Sequence, residues 1–164
     1  MRLTSTSLLL SAAIASTLLL SACSSTTGPV AAGPLANTQQ REANKKNAVD
    51  FYNQFFNQHD LTAAERYIGS SYTQHNPRVP NGREAFVQAF TAIFKQYPQR
   101  QSVIQRAIAE GDLVALHVHS TNAPGERGSA IVDIFRFDAA GKIVEHWDVI
   151  QPIPETTASG NSMF

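Results

Sequence analysis

The chain has 164 residues, with 13 Lys plus Arg against 13 Asp plus Glu and no net formal charge at pH 7. That balance offers no basic stripe to a nucleic-acid backbone, and a single cysteine excludes an intramolecular disulfide framework. The length accommodates one domain of ordinary size with terminal segments beside it.

The first segment is set apart from the rest. Arg2 gives a positive start, Leu8 to Leu20 is mostly apolar, and Leu20-Ser21-Ala22 lead into Cys23. A basic start, a short apolar stretch and small residues before a cut are the marks of a secretory signal. The apolar run is short for a membrane span. A small pair directly before cysteine resembles the lipobox of bacterial lipoproteins. The resemblance implies that residues 1–22 are a signal peptide and that Cys23 becomes the lipidated first residue, the only link to a membrane. Ser24, where inner-membrane retention would favour aspartate, points to the outer membrane and the periplasm. An ordinary signal peptide with an incidental cysteine is the alternative. Ser24 to Gln40 carries no charge and holds Gly-Pro twice, so 23–40 reads as a flexible tether that cannot bury enough apolar area to order itself.

The domain is expected over 41–154. From Arg41 to Gln58, Ala48, Phe51, Tyr52, Phe55 and Phe56 recur at helical spacing and give one aromatic stripe. Asp60 is placed to cap a short second helix through "LTAAERYI". "NGREAFVQAFTAIFKQ" predicts a third helix, with Asn81 and Glu84 approximating a capping box and Pro98 marking the end. Between these helices "YTQHNP" holds His75 and Asn76 before a proline, which pushes its neighbour to extended geometry and predicts a short strand or loop.

After Pro98 the period changes from 3.6 to 2. "SVIQRAIAE" and "LVALHVHST" flank Gly111-Asp112, and "GSAIVDIFRFD" and "KIVEHWDVIQ" flank Ala139-Ala140-Gly141, two hairpin signals. Helices followed by an antiparallel meander argue for α+β, three helices packed on one face of a strongly curved sheet. Such a cone encloses a natural small-molecule site. "ETTASGNSMF", 155–164, reads as a disordered tail.

The polar residues on these strands carry the functional expectation. His117 and His119 share one face of their strand, Leu116 and Val118 the other. Asp133 shares a face with Ile131, Phe135 and Phe137, and His146 and Asp148 share one with Val144 and Ile150. A carboxylate among apolar neighbours is costly unless paired. Singly, each of the five reads as a satisfied structural residue or part of a solvated sheet face. Together, they favour a polar-lined pocket.

The helix order, "YTQHNP…NGREAF", "VDIFRF" and "GKIVEHWDVIQ" resemble the SnoaL-like branch of the NTF2-like superfamily, over Arg41 to Pro154. Its best-known members are polyketide cyclases that close rings by intramolecular aldol condensation without a cofactor. The resemblance implies an acid/base role for Asp133, a pocket histidine at His119 and a polar pocket neighbour at His117. Ketosteroid isomerase, another cone of this superfamily, implies pocket positions for Tyr52, Asp133, His146 and Asp148. Its base aspartate is replaced here by Asn76, which disfavours steroid-type isomerisation.

The expected chemistry is therefore removal of a proton next to a carbonyl and protonation of the new alkoxide. Asp133 and His119 would act as the catalytic pair, Tyr52 and Asn76 would hydrogen-bond the oxyanion, and His75, His117, His146 and Asp148 would line the site. The partner is an apolar or carbonyl small molecule, and a homodimer through the sheet is implied by the resemblance. Two alternatives stay open. One is a metal site built from His75, His117, His119 and His146. The other is a lipid-tethered binding protein with no catalysis.

Overall fold

The computed structural model describes residues 34–164; the signal segment, Cys23 and the start of the tether lie outside them. Helix α1 spans Pro34–Tyr52 and its last turn widens into a π-helical turn, Asn53–Asn57. Helix α2 is a single short stretch, Ala63–Tyr67, and α3 spans Arg83–Gln96. The strands are β1 Ile68–Gln74, β2 Gln101–Glu110, β3 Leu113–Thr121, β4 Ser129–Phe137 and β5 Ile143–Pro152. They form one sheet in the order β1-β5-β4-β3-β2. β2 to β5 are the expected antiparallel meander, while β1 joins β5 in parallel. The result is α+β, with the helices packed on a curved five-stranded sheet.

Phe51 and Phe55 of the predicted stripe are fully buried, and the π turn carries Phe56 inward beside Phe55. Phe51 and Phe55 stack at 5.3 Å, and Phe55 meets Phe86 of α3 at 4.9 Å. The sheet contributes Val114, Leu116, Val118, Phe135 and Ile143 to the same core. Alternation along β3 is strict, with Val114, Leu116, Val118 and Ser120 buried and their neighbours half-exposed.

Several local expectations are corrected. Residues 34–40, read as tether, are helical: proline is tolerated in a first helical turn, where its missing N–H has no partner to lose. Gln40 then reaches Asn44 with a 2.9 Å hydrogen bond. Asn81 does not cap α3. Its Oδ1 accepts from the Gln74 backbone N–H at 2.8 Å, and the cap position is Gly82 at φ 95°. Asp60 holds the turn before α2 by accepting from the Thr62 backbone at 3.0 Å. The tail, 155–164, carries a turn and a ring contact. Thr157 and Gly160 close a turn, and the Phe164 ring lies 5.2 Å from His117 and 4.8 Å from His119, ring against ring on the sheet's outer face.

Register sets the positions that matter. Asp133 lies opposite Leu116 on β3 and Asp148 on β5, Phe135 opposite His146, and Gln74 of β1 beside His146. A shift between Arg136 and Phe137 lets Ile143 and His146 both face inward although three positions separate them, so Val144 does not share His146's face as strict alternation would have it.

Candidate active site

A cavity of about 280 Å³ lies between the helices and the inner face of the sheet. Phe56, Phe86, Phe90 and Ile93 give it an apolar wall, and Asp133, His146 and Asp148 a polar one. Phe94 and Trp147 do not line it: Phe94 packs in the core and Trp147 points to the outer face.

Asp133 and His146 are both buried, 5% and 6% exposed, so neither carboxyl nor imidazole can rely on bulk water. Tyr52 donates its hydroxyl to Asp133 Oδ2 at 2.9 Å. His146 Nε2 lies 3.0 Å from Asp133 Oδ1, and its ring stacks on Phe135 at 5.0 Å. The far ring nitrogen, Nδ1, lies 2.8 Å from Gln74 Oε1. That oxygen also accepts from the backbone N–H of Asn76 at 2.9 Å, while Gln74 Nε2 donates to the Tyr72 hydroxyl at 3.0 Å.

These contacts assign the protons. A backbone N–H can only donate, so the Gln74 atom it meets is the oxygen, and Nδ1 facing that oxygen must carry hydrogen. Between Nε2 and Asp133 Oδ1 lies one further proton, held by imidazolium toward carboxylate or by carboxyl toward imidazole. The pair carries one transferable proton, with its orientation fixed at both ends. Burial first, then the Asp133 charge, pushes the Tyr52 hydroxyl well above the ordinary phenolic value. It therefore stays a donor. Burial, helped by the charges of Asp133 and Asp148, raises Tyr72 in the same way.

Asn76 lines the cavity and donates one amide proton to Asp148 Oδ2 at 2.6 Å. Tyr52 and Asn76 thus already hydrogen-bond carboxylates, and only the second amide proton of Asn76 is left for a ligand.

The expected histidine pair is corrected. His117 and His119 lie on the outer face of β3, opposite the face that packs Val114, Leu116 and Val118 into the core. His117 Nδ1 meets Arg106 at 3.0 Å, and His119 Nε2 lies 2.7 Å from the Arg127 carbonyl. Neither reaches Asp133. His75 is also corrected: it stacks on Trp147 at 4.8 Å and pairs with Glu145 at 2.9 Å on the outer face. His146, expected only to line the pocket, holds the place foreseen for His119. The proposed four-histidine metal set is therefore dispersed, since only His146 faces the cavity.

A different donor set exists. One ligand atom each from Asp133, His146 and Asp148 lies within 4.8 Å of the others. Imidazole and carboxylates suit zinc or iron, but Nε2 is engaged with Asp133 and Asp148 Oδ2 with Asn76. A cation taking Nε2 would displace its contact with Asp133, while Asp148 Oδ1 has no hydrogen-bond partner to lose among the described residues.

Sequence reasoning missed Gln74 and Arg100, which also line the cavity. The signal for Gln74 was present. In "YTQHNP" alternation puts Tyr72, Gln74 and Asn76 on one face and His75 on the other, so a pocket containing Asn76 includes Gln74 and excludes His75. Arg100 follows a helix end and has no periodicity to reveal it.

Residues 48–146 match the SnoaL-like domain family. Among solved structures, a SnoaL-like protein of unknown function from Burkholderia thailandensis is 16% identical, with a TM-score of 0.59 over 67% of this chain and 96% of that one. An NTF2-like protein of unknown function from Mesorhizobium loti is 25% identical, at 0.57 over 68% and 93%. TsrD from Streptomyces laurentii is 17% identical, at 0.55 over 67% and 89%. No curated protein matches the chain in sequence.

Proposed function

This chain belongs to the SnoaL-like domain family, and we propose that its cavity performs cofactor-free acid/base chemistry on a small carbonyl compound, with Asp133 and His146 as the proton-handling pair. The observation that carries this reading is the double engagement of Asp133, by Tyr52 at 2.9 Å and His146 at 3.0 Å, on the cavity wall. A carboxylate so held takes a proton from the carbon next to a carbonyl. The resulting enolate carbon forms a bond to a second carbonyl of the same molecule, and the proton returns to the new alkoxide. Atoms and charge balance, so ring closure by aldol addition needs no co-reactant. Tyr52 keeps Asp133 aimed, Gln74 keeps the imidazole aimed, and the free amide proton of Asn76 stabilises the enolate oxygen.

The test is exchange of the α-protons of an aryl β-keto ester with deuterated water, followed by NMR with the full-length chain. Enzyme-accelerated exchange that falls by about 10²–10⁴-fold in Asp133→Asn supports the reading. Exchange no faster than in buffer, or unchanged in Asp133→Asn, sinks it and leaves a non-catalytic small-molecule binder. Elemental analysis of the same preparation tests the alternative Asp133–His146–Asp148 metal site: near-stoichiometric zinc or iron, lost in His146→Gln, would replace the metal-free mechanism.

The envelope location and the dimer belong to the same proposal. Acylation of Cys23 would hold the domain at the periplasmic face of the outer membrane. A homodimer would form through the outer sheet face, where Val103, Ile108, Val132 and Val149 are exposed. Light scattering that gives a monomer for the parent chain as well as for Val132→Lys would remove the dimer.

A further inference from the structure

Arg100 ends the turn between α3 and β2. Its backbone N–H donates to the Tyr97 carbonyl at 3.0 Å, and its own carbonyl lies 3.3 Å from His59 Nε2, so the residue is held from both sides. The side chain lines the cavity and donates through Nη1 to Asn122 Oδ1. Among the described residues its Nε is the one buried side-chain polar atom without a hydrogen-bond partner, and no carboxylate forms an ion pair with it. Natural proteins satisfy nearly all such groups, so an orphaned cationic donor on a cavity wall calls for an acceptor from outside the chain.

The geometry names the acceptor. With Nη1 engaged by Asn122, the edge formed by Nε–H and Nη2–H has no partner among the described residues. Nε itself is covered, and a turn of the side chain that brings this edge to the cavity presents the fork that grips a planar carboxylate with two parallel hydrogen bonds. Phe86, Phe90 and Ile93 stand on the same cavity wall and fit an apolar or aromatic body. We infer that Arg100 is the anchor of a carboxylate subsite, and that the ligand of this cavity is an aromatic or apolar monocarboxylic acid. The Arg100 charge also reaches the Tyr52 hydroxyl, where it opposes the upward shift. Arg100 and the polar wall of Asp133, His146 and Asp148 line one cavity. The second cation on the lining, Arg78, is exposed.

This inference rests on the cavity being a small-molecule site and does not require catalysis. The experiment is calorimetric titration of the full-length chain with 2-naphthoate and with its neutral isostere 2-naphthamide. The acid should bind at least about tenfold more tightly than the amide. Arg100→Met keeps the apolar stem and should bring the two within about twofold, with the amide still bound. Arg100→Lys keeps the charge without the fork and should retain only part of the preference. Arg78→Met should retain it in full. Equal affinities for acid and amide in the parent chain overturn the subsite while leaving the small-molecule reading intact. A preference that survives Arg100→Met, or disappears with Arg78→Met, overturns it too. Absence of saturable binding by either probe up to about 10 mM overturns both the subsite and the small-molecule reading.

Discussion

Gln74 Oε1 and His146 Nδ1 lie 2.8 Å apart across the parallel pairing of β1 with β5. This contact decides which nitrogen of the buried imidazole faces Asp133 with its proton in play. Gln74→Leu removes the acceptor and leaves Nδ1–H buried without a partner. The expected cost is about 1–3 kcal/mol of stability, read by urea denaturation, together with loss of carbonyl α-proton exchange. Gln74→Glu keeps an acceptor and should recover most of the stability. A Gln74→Leu chain as stable as the parent would mean that the contact orients nothing.

Tyr52→Phe tests the other side of the same carboxylate. The substitution keeps the ring in the aromatic core, where it sits 4.5 Å from Phe56, and deletes the hydroxyl that donates to Asp133. About 1–3 kcal/mol should be lost, measured in the same urea series. A neutral effect would show that Asp133 Oδ2 has another donor.

Gly128 stands where β3 and β4 are joined, at φ 71°, and a Cβ there would fall 2.0 Å from the Ser120 carbonyl oxygen. The backbone cannot yield without moving Ser120, which also lines the cavity. Gly128→Ala should cost at least about 2 kcal/mol through strain and displacement together, visible as a lowered Tm. Gly125, at φ 83° with nothing within 4 Å of its Cβ position, provides the comparison: its alanine variant carries the backbone penalty alone and should lose less.

The pH dependence has two limbs. Hydrogen bonds from Thr62 and then Arg66 hold Asp60 below the usual carboxylate range, and His75 and then Arg136 hold Glu145 there. Depressed carboxylates contribute stability above their unfolded value of about 4, and that contribution is lost as pH falls through the folded value. Tyr52 and Tyr72 act in the opposite sense. Burial raises both, so the folded state keeps its phenolic protons while the unfolded chain releases them from about pH 10 upward. Stability should therefore fall as pH rises past that point. Near-ultraviolet titration should find Tyr52 and Tyr72 still protonated in the folded protein at a pH where the unfolded chain has ionised all four of its tyrosines. Four phenols ionising together in the folded state would contradict the burial argument.

Cys23 carries the anchoring proposal. Metabolic labelling with a radioactive fatty acid should mark the expressed chain, and Cys23→Ala should abolish the label and release the domain from the membrane fraction. Labelling that persists in the variant would remove the lipoprotein reading.

Much of this site was legible in the sequence, because strand alternation is a local property. Asp133 among Ile131, Phe135 and Phe137 announced a buried carboxylate, and His146 and Asp148 announced polar company for it. The helical stripe of Phe51, Tyr52 and Phe55 announced the core and brought Tyr52 with it. Alternation says which side chains share a face, however, and not which face is covered. "VALHVHS" placed His117 and His119 together correctly, but only the packing of Val114, Leu116 and Val118 against the helices sends both histidines outward. Three things belong to tertiary structure alone: the parallel docking of β1 that brings Gln74 to His146, the register shift that turns Ile143 inward in place of Val144, and the turn that sets Arg100 on the cavity wall. No local period encodes them: β1 docking and the Arg100 position depend on contacts between residues far apart in the chain, and the shift on how the β4–β5 hairpin pairs.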